Sequence, residues 1–544
     1  MDTKAHSQHK EREHFFSAAK LVAAITLLSR VFGFVRDMGI ASLGASRYND
    51  AFGLAFKIPN LFRRLFGEGA LASAFVPVFT DVHEKEGPQK AKLLLANSFA
   101  ILSVFLAVLL VIGEVGFFTY WALTGASDSR LLMLLAMVML PYMFTVCLLA
   151  LCSAALNARG HFWFPAAAPI IFNFFGIIAA WWLAPMLKEN LPGQLVIVAI
   201  SVVVAGIVQL FGVIWLLKGS DLYLRPRFRP LEPGIKTVIT NLTPMLIGLG
   251  FLQFTEFFQD VIAWTLTATA GSSTFFGLQC PLREGVIVRL NAARAFYQFP
   301  MGVLAISLGV AIFPLLSRYA SRGDMPNLRD SINRAVRLSI MEGLATGVGL
   351  FIMARPIMMI YARRKFTVAD AEQAAFVLQM YVLGMWAYCS YQILARAFYA
   401  CKDTRTPLKV SCGLAVVNIG LLLALIWIPG FGPGAFGLST SITFSLNTLI
   451  LIWILRKRLG LLGGRKLTAS IARTLLACAV MAAAVYPLRL VMEARHINNL
   501  LVLAACISTG AAVFILTAWL LKCPELHELL GPRLPKEPSD IPAQ

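Results

Sequence analysis

The chain has 544 residues, 58% of them hydrophobic and only 14% charged, and its mean hydropathy is +0.73. A soluble protein carries about a quarter charged residues, so a soluble enzyme, a DNA-binding module and a disordered scaffold are excluded. Lysine and arginine number 48 against 28 aspartates and glutamates, a formal charge of +20. With no soluble domain to occupy, these bases gather in short loops between apolar runs, as membrane orientation requires.

A bilayer span needs about 20 apolar residues. About fourteen runs of that order lie near 15–44, 50–80, 93–121, 130–157, 163–187, 194–217, 236–268, 287–317, 330–361, 370–400, 407–428, 435–456, 467–492 and 498–522. They are two to three times longer than the roughly ten-residue alternating strands of a membrane barrel. The predicted fold is therefore an all-α polytopic membrane protein with about 14 transmembrane helices. The first run follows a polar, charged start and shows no small-residue cleavage site, so a cleaved signal peptide is not expected. Nine scattered cysteines without a C-x-x-C pair indicate neither a disulfide framework nor a zinc site.

The loops set the expected orientation. One set carries Lys85, Lys90 and Lys92, then Arg159, then Lys218 through Lys236 with three arginines between. It continues with Arg318 to Arg337, Lys402 to Lys409 and Arg456 to Lys466. The alternate loops have little positive charge, which predicts both termini in the cytoplasm. Arg363-Arg364-Lys365 is the exception, read as an interfacial anchor on the outer side with anion binding as the other reading. Weak internal echoes, such as Ala155, Ala158 and Pro165 against Ala397, Ala400 and Pro407, suggest two six-helix lobes, a common transporter plan. The expected division is an N-terminal lobe at 1–217, a C-terminal lobe at 218–458, a helix pair at 459–522 and a cytoplasmic tail at 523–544.

Ionisable groups inside the spans are the informative residues. Span 1 embeds Arg30, Arg36 and Asp37; span 2 embeds Asp50, Lys57, Arg63, Arg64 and Glu68; span 8 opens with Arg289 and Arg294. Span 7 carries Glu256 and Asp260, candidate proton or cation sites. Four arginines facing lipid would cost on the order of 10–14 kcal/mol on the lenient insertion scale, so they must meet a hydrated cavity or opposite charge. Internal pairing, of Arg36 with Asp50 and of Arg63 or Arg64 with Glu68, is one reading. The other follows from the excess of seven bases over three acids in spans 1, 2 and 8, which suits an anionic ligand, because guanidinium binds phosphate bidentately. No metalloprotease, Walker or nucleophile-elbow motif competes. An enzyme is therefore not expected, no cofactor is implied, and the membrane potential or an ion gradient is the expected drive.

The run Ser29-Arg30-Val-Phe-Gly-Phe-Val-Arg36-Asp37, then Asp50-Ala-Phe and Lys57-Ile-Pro-Asn60-Leu-Phe-Arg63-Arg64-Leu-Phe-Gly-Glu68, resembles the MurJ (MviN) lipid II flippases. Phe299-Pro300-x-Gly-Val-Leu, Lys365-Phe366-Thr367 and Asp403-Thr-Arg-Thr-Pro407 agree, and the likeness runs over essentially the whole chain. It implies an inner-membrane protein of the multidrug/oligosaccharidyl-lipid/polysaccharide exporter superfamily. Such a protein moves undecaprenyl-diphosphate-linked disaccharide-peptide from the cytoplasmic to the periplasmic leaflet by alternating access. It further implies that Arg30, Arg36, Arg63 and Arg294 engage the diphosphate, with Asp50, Ser29, Asn60 and Glu68 in the same substrate site. Its partners would be lipid II, membrane lipids and the cell-wall synthesis machinery, with no nucleic acid. Two positions depart from the family pattern. Arg294 stands six residues before Pro300 where the family has its arginine at five, the place of Ala295, and Asn418 in span 11 has no acid four residues on. The alternatives are an exporter of another polyprenyl-linked oligosaccharide, of O-antigen type, and a membrane enzyme acting on polyprenyl diphosphate lipids.

Overall fold

A computed structural model describes residues 22, 24–67, 70–219, 222, 228–229, 233–269, 274–275, 277–460 and 464–526. Helices follow the apolar runs in order. Helix α1 covers residues 24–41. It is followed by α2 (Arg47–Phe62), α3 (Ala70–Glu86), α4 (Pro88–Leu123), α5 (Ser127–Met139), α6 (Pro141–Ala158), α7 (Trp163–Ile178), α8 (Leu191–Gly219) and α9 (Pro233–Thr265). The chain continues through α10 (Val286–Pro300), α11 (Ile306–Arg322), α12 (Met325–Met359), α13 (Val368–Val382) and α14 (Met385–Ala400). It ends with α15 (Arg405–Leu425), α16 (Gly434–Leu459), α17 (Gly464–Ala494) and α18 (Asn499–Leu520). Between α9 and α10 a two-residue hairpin pairs Thr274 with Gln279 and Phe275 with Leu278.

Among the described residues, eleven helical stretches are long and apolar enough to cross a membrane. Residues 24–41, Pro233–Thr265 and the α13–α14 pair stand outside that number, and fourteen spans remains a reading of the sequence. Large apolar side chains lie open along α4 (Val108, Val111, Ile112, Val115) and α18 (Leu500, Leu501, Leu516, Trp519). Such surfaces are compatible with lipid and costly in water.

Among the described residues, three spans are interrupted by a wide π turn: Arg63–Gly67 between α2 and α3, Ala179–Leu183 after α7, and Met301–Ala305 between α10 and α11. Each follows a proline in its span, at 59, 169 and 300. Proline cannot donate to the helical ladder, and a widened turn is one way in which a helix absorbs the lost bond. Turns of this kind recur at functional sites.

The chain divides into two compact units, Met1–Ala292 with Tyr361–Ala371, and Ala293–Ile360 with Glu372–Gln544. In the first, α6 is the most enclosed helix, with Tyr142, Leu148, Leu151 and Cys152 sealed inside. The α1–α2 corner turns through Gly44 at φ +114°, a value that favours glycine. The Asn49 amide closes that corner by donating to the Ile40 and Gly44 carbonyls at 3.0 and 2.9 Å. Segment 361–371 joins this unit through Lys365 N–H, which donates to the Ser42 carbonyl at 3.2 Å. In the second unit, Leu316, Ile332, Val336, Ile393, Phe398 and Leu451 form the core shared by α11, α12, α14 and α16. There Gly343 brings α12 so close to α14 that an added Cβ would lie 2.6 Å from the Trp386 Cα. Close approach through small residues is how membrane helices gain packing energy without a hydrophobic drive.

Candidate functional site

The site is built in the first unit, where α1 meets α7. Asn173, buried on α7, donates from Nδ2 to the Ser29 carbonyl at 2.8 Å and accepts from Arg36 Nη1 at 2.9 Å. It therefore anchors α1 and orients an arginine with one side chain. Arg36 also donates from Nε and Nη2 to Asp37 Oδ1, at 3.0 and 2.7 Å. Its guanidinium lies 5.0 Å from the centre of the Phe172 ring, which stacks on Phe56 and Tyr142. Gly176 makes room for the arginine stem: a Cβ there would come within 2.7 Å of Arg36 Cδ.

Arg63 opens the π turn after α2, and its Nε donates to Asn60 Oδ1 at 2.8 Å. Arg63 and Arg36 both lie within electrostatic reach of the Tyr142 hydroxyl. Arg30 is half-buried on α1. The structure thus brings Ser29, Arg36, Asn60 and Arg63 into one unit, with Asn173, Phe172 and Tyr142 as members the sequence reading missed. All three are neutral residues in apolar runs, and nothing in their local pattern distinguishes them from packing residues. Glu68 lies outside the described residues.

Other ionic groups of the spans meet acids delivered by other helices, and the expected pairing of Arg63 or Arg64 with Glu68 lies outside the described residues. Lys57 Nζ is 3.1 Å from Asp260 and 3.8 Å from Glu256, and Arg64 reaches Glu256 at 2.8 Å and Gln253 at 3.0 Å. Arg289 pairs with Asp370 at 2.7 Å and donates to the Arg283 and Glu284 carbonyls. Asp50, fully buried, takes the backbone N–H groups of Gly285, Ile287 and Val288 at 2.7, 2.8 and 3.1 Å. It caps the N-terminus of α10, where a helix leaves donors unsatisfied and its dipole favours an anion.

Two expectations are corrected by these contacts. Asp50 is not the partner of Arg36, which pairs instead with Asp37, its neighbour in sequence. Nor do four positive charges stand unmatched, because the tally over spans 1, 2 and 8 left out acids brought from elsewhere. Glu256 and Asp260 of α9 answer Lys57 and Arg64, and Asp370 answers Arg289. Glu256 and Asp260 act here as counter-ions to fixed cations.

Arg294 belongs to the second unit, where its Nε donates to Tyr381 Oη at 3.2 Å. Tyr381 stacks on Tyr297 at 4.7 Å, and Tyr297 lies 5.3 Å from Tyr388. Helix α10 is regular from Val286 to Pro300, and its π turn begins only at Met301. The bulge therefore lies beyond Pro300 and leaves the spacing of Arg294 from that proline unchanged. Among the described residues no group of three His, Cys, Asp or Glu side chains could hold a metal ion.

Apolar helices in this number, with charged and aromatic groups gathered inside one of their units, define a multi-pass helical membrane transport protein. The model of the family "Lipid II flippase MurJ" matches residues 40–506. The chain belongs to that family. A probable lipid II flippase MurJ of Vibrio cholerae serotype O1 is 31% identical over 447 residues, 79% of this chain and 81% of the relative. The lipid II flippase MurJ of Burkholderia cenocepacia is 30% identical over 459 residues, 82% and 84% of the two chains. Among solved structures, a lipid II flippase MurJ in an inward closed conformation superposes with a TM-score of 0.73, at 22% identity over 92% of this chain and 98% of that one. An inward-facing multidrug resistance MATE family transporter of the MOP superfamily shares the fold, with a TM-score of 0.66 at 13% identity over 82% and 98% of the two chains.

Proposed function

We propose that this chain, a lipid II flippase by family, holds the diphosphate of its polyprenyl-linked substrate with Arg30, Arg36 and Arg63. The observation that carries this reading is Arg36, whose guanidinium is oriented by the neutral Asn173 and by Asp37 beside the Phe172 ring. Guanidinium groups oriented in advance bind phosphate oxygens with little ordering cost. Translocation runs from the cytoplasmic to the periplasmic leaflet of the bacterial inner membrane by alternating access, with both termini cytoplasmic. No covalent step is involved, and membrane potential or an ion gradient supplies the drive. Bending at the π turns of spans 2 and 8 gives the helices a way to change shape between two states a few kcal/mol apart.

Complementation of a flippase-depleted strain tests the proposal. Arg30→Ala and Arg63→Ala are expected to abolish rescue while the protein still reaches the membrane. Normal growth with either variant would remove the cationic site. Reconstituted vesicles offered lipid II or another polyprenyl-linked oligosaccharide, without nucleotide or sugar donor, separate flipping of lipid II from the two alternatives.

A further inference from the structure

The turn between α12 and α13 carries Arg363, Arg364 and Lys365, the basic cluster that breaks the loop pattern. Positive charge on the outer side opposes the bias that orients a membrane protein, so its presence there asks for a reason. The turn belongs to the first unit and is firmly seated in it. Phe366 is fully buried and meets Tyr361 edge-on at 6.3 Å. Phe366 N–H closes the turn on the Arg363 carbonyl at 3.1 Å, while Lys365 N–H reaches the Ser42 carbonyl. Gly44 fits against the Lys365 stem, where an added Cβ would lie 3.1 Å from Lys365 Cβ. Arg364 stands in the left-handed region at φ +53°, a place that glycine fills at less cost. An arginine kept there points to a use for its side chain.

That side chain rests on a tryptophan. The Arg364 guanidinium lies 5.3 Å from the centre of the Trp181 ring, and its Nη2 donates to the Trp181 carbonyl at 3.3 Å. Trp181 is in turn seated on α1. Its indole N–H donates to the Val35 carbonyl at 2.9 Å, and a Cβ at Gly39 would fall 2.5 Å from the indole nitrogen. The residues that follow it are open, with Trp182 at 60% and Met186 at 72% exposure and Leu183 and Leu187 beside them. Arg363, Arg364 and Lys365 are all exposed, and among the described residues none of the three takes part in an ion pair. Asp370, the next acid along the chain, is already committed. It accepts from Thr367 N–H at 3.0 Å at the start of α13 and pairs with Arg289 at 2.7 Å.

We propose that this turn and the tryptophan beside it bind the headgroup of an anionic phospholipid in the leaflet they face, which the loop charges predict to be the outer one. Guanidinium and ammonium groups take phosphate oxygens, and tryptophan favours the depth of the headgroups. The open apolar residues after Trp181 lie where acyl chains begin. A soluble anion would gain from the cations alone, whereas a lipid gains from the cations and from the apolar surface next to them. The lipid held here is a constituent of the membrane and not the cargo, so the site stands apart from Arg36 and does not rest on the flippase reading.

Native mass spectrometry of the full-length protein, titrated with phosphatidylglycerol or phosphatidylcholine, tests the proposal. Wild type is expected to retain phosphatidylglycerol in preference to phosphatidylcholine. Affinity for it is expected to fall about fivefold for each cation removed, in Arg364→Gln and in the double variant Arg363→Gln with Lys365→Gln. Arg364→Lys keeps the charge without the planar fork and is expected to recover part of the loss, and it serves if the glutamine variant fails to fold. Arg130 supplies the control: it also lies near a tryptophan, Trp121 at 5.8 Å, but its loop holds Asp128 and no second cation. Arg130→Gln is expected to bind as wild type does. Equal retention by wild type and the turn variants would overturn the proposal, and so would an equal loss in Arg130→Gln. Displacement of the lipid by millimolar inorganic phosphate would show a site for free anions and overturn the assignment to a lipid.

Discussion

Asn173 gives the sharpest test of how the arginine site works. It is small, neutral and 6% exposed, and it holds the Ser29 carbonyl and the Arg36 guanidinium at 2.8 and 2.9 Å. Asn173→Ala removes both bonds. A hydrogen bond to a charged group is worth about 1.5–3 kcal/mol and a neutral one about 1 kcal/mol. If the charged bond alone sets the orientation of Arg36, substrate affinity falls by about tenfold to a hundredfold, since each 1.4 kcal/mol is a factor of ten. Asn173→Asp keeps the shape and an acceptor for Arg36, yet turns a carboxylate oxygen toward the Ser29 carbonyl. It also gives Arg36 a second anion besides Asp37. Its loss is expected to exceed that of the alanine variant, because the new charge repels the diphosphate as well as competing for the arginine. Binding of lipid II to the purified protein in nanodiscs, paired with thermal melting, measures both. Wild-type affinity in the aspartate variant would refute the idea that Arg36 meets an anion.

The capping role of Asp50 predicts a change in stability. Asp50→Ala leaves three buried N–H groups without acceptors, at about 1–3 kcal/mol each, and is expected to lower the melting temperature and membrane yield, with Asp50→Asn intermediate. Equal melting of wild type and alanine variant would show that the cap carries no weight. In the loop before α15, burial pushes the Asp403 carboxyl up, but the Thr406 hydroxyl and amide together with the Arg458 guanidinium outweigh it and hold it at about 2. A depressed carboxyl stabilises the fold fully above its ordinary value of 3.8 and stops doing so as pH falls through about 2. Wild type is therefore expected to lose melting temperature more steeply than Asp403→Asn between pH 4 and pH 2, and parallel curves would contradict the assignment.

The helices were legible because hydropathy is a local property: twenty apolar residues in a row need no knowledge of the rest of the chain. Arg30, Arg36 and Arg63 were legible for the related reason that a guanidinium in such a run needs an explanation. Their partners were not. Arg64 and Glu256 stand 192 residues apart, and Arg289 and Asp370 stand 81 apart. A charge tally by span cannot see a counter-ion delivered by another helix. Asp50 illustrates a second blind spot. A buried aspartate reads as a charge in need of a cation, yet its partners are three backbone amides, which every residue but proline possesses and no sequence pattern marks. The π turns fall between the two cases: Pro59 and Pro300 announce an interruption, but not that it will widen the helix instead of kinking it.

Ion pairing also decides which cations a substrate can recruit. Lys57 is tied to Asp260, whose side chain is completely buried, and Lys57 itself is 15% exposed. Separating a buried pair leaves an uncompensated charge and costs about 3–5 kcal/mol. A diphosphate would have to meet that cost before gaining anything from Lys57. Arg36 and Asp37 are 18% and 36% exposed, and water can take over the aspartate as the arginine turns to a new anion. Pairs open to solvent contribute about 0–1 kcal/mol, less than the 1.5–3 kcal/mol of one charge-assisted bond to phosphate. On the proposed reading, Arg36 exchanges Asp37 for substrate at a net gain, whereas Lys57 stays tied to Asp260. The same comparison places Arg64 between the two, since its partner Glu256 is 30% exposed and also faces Lys57.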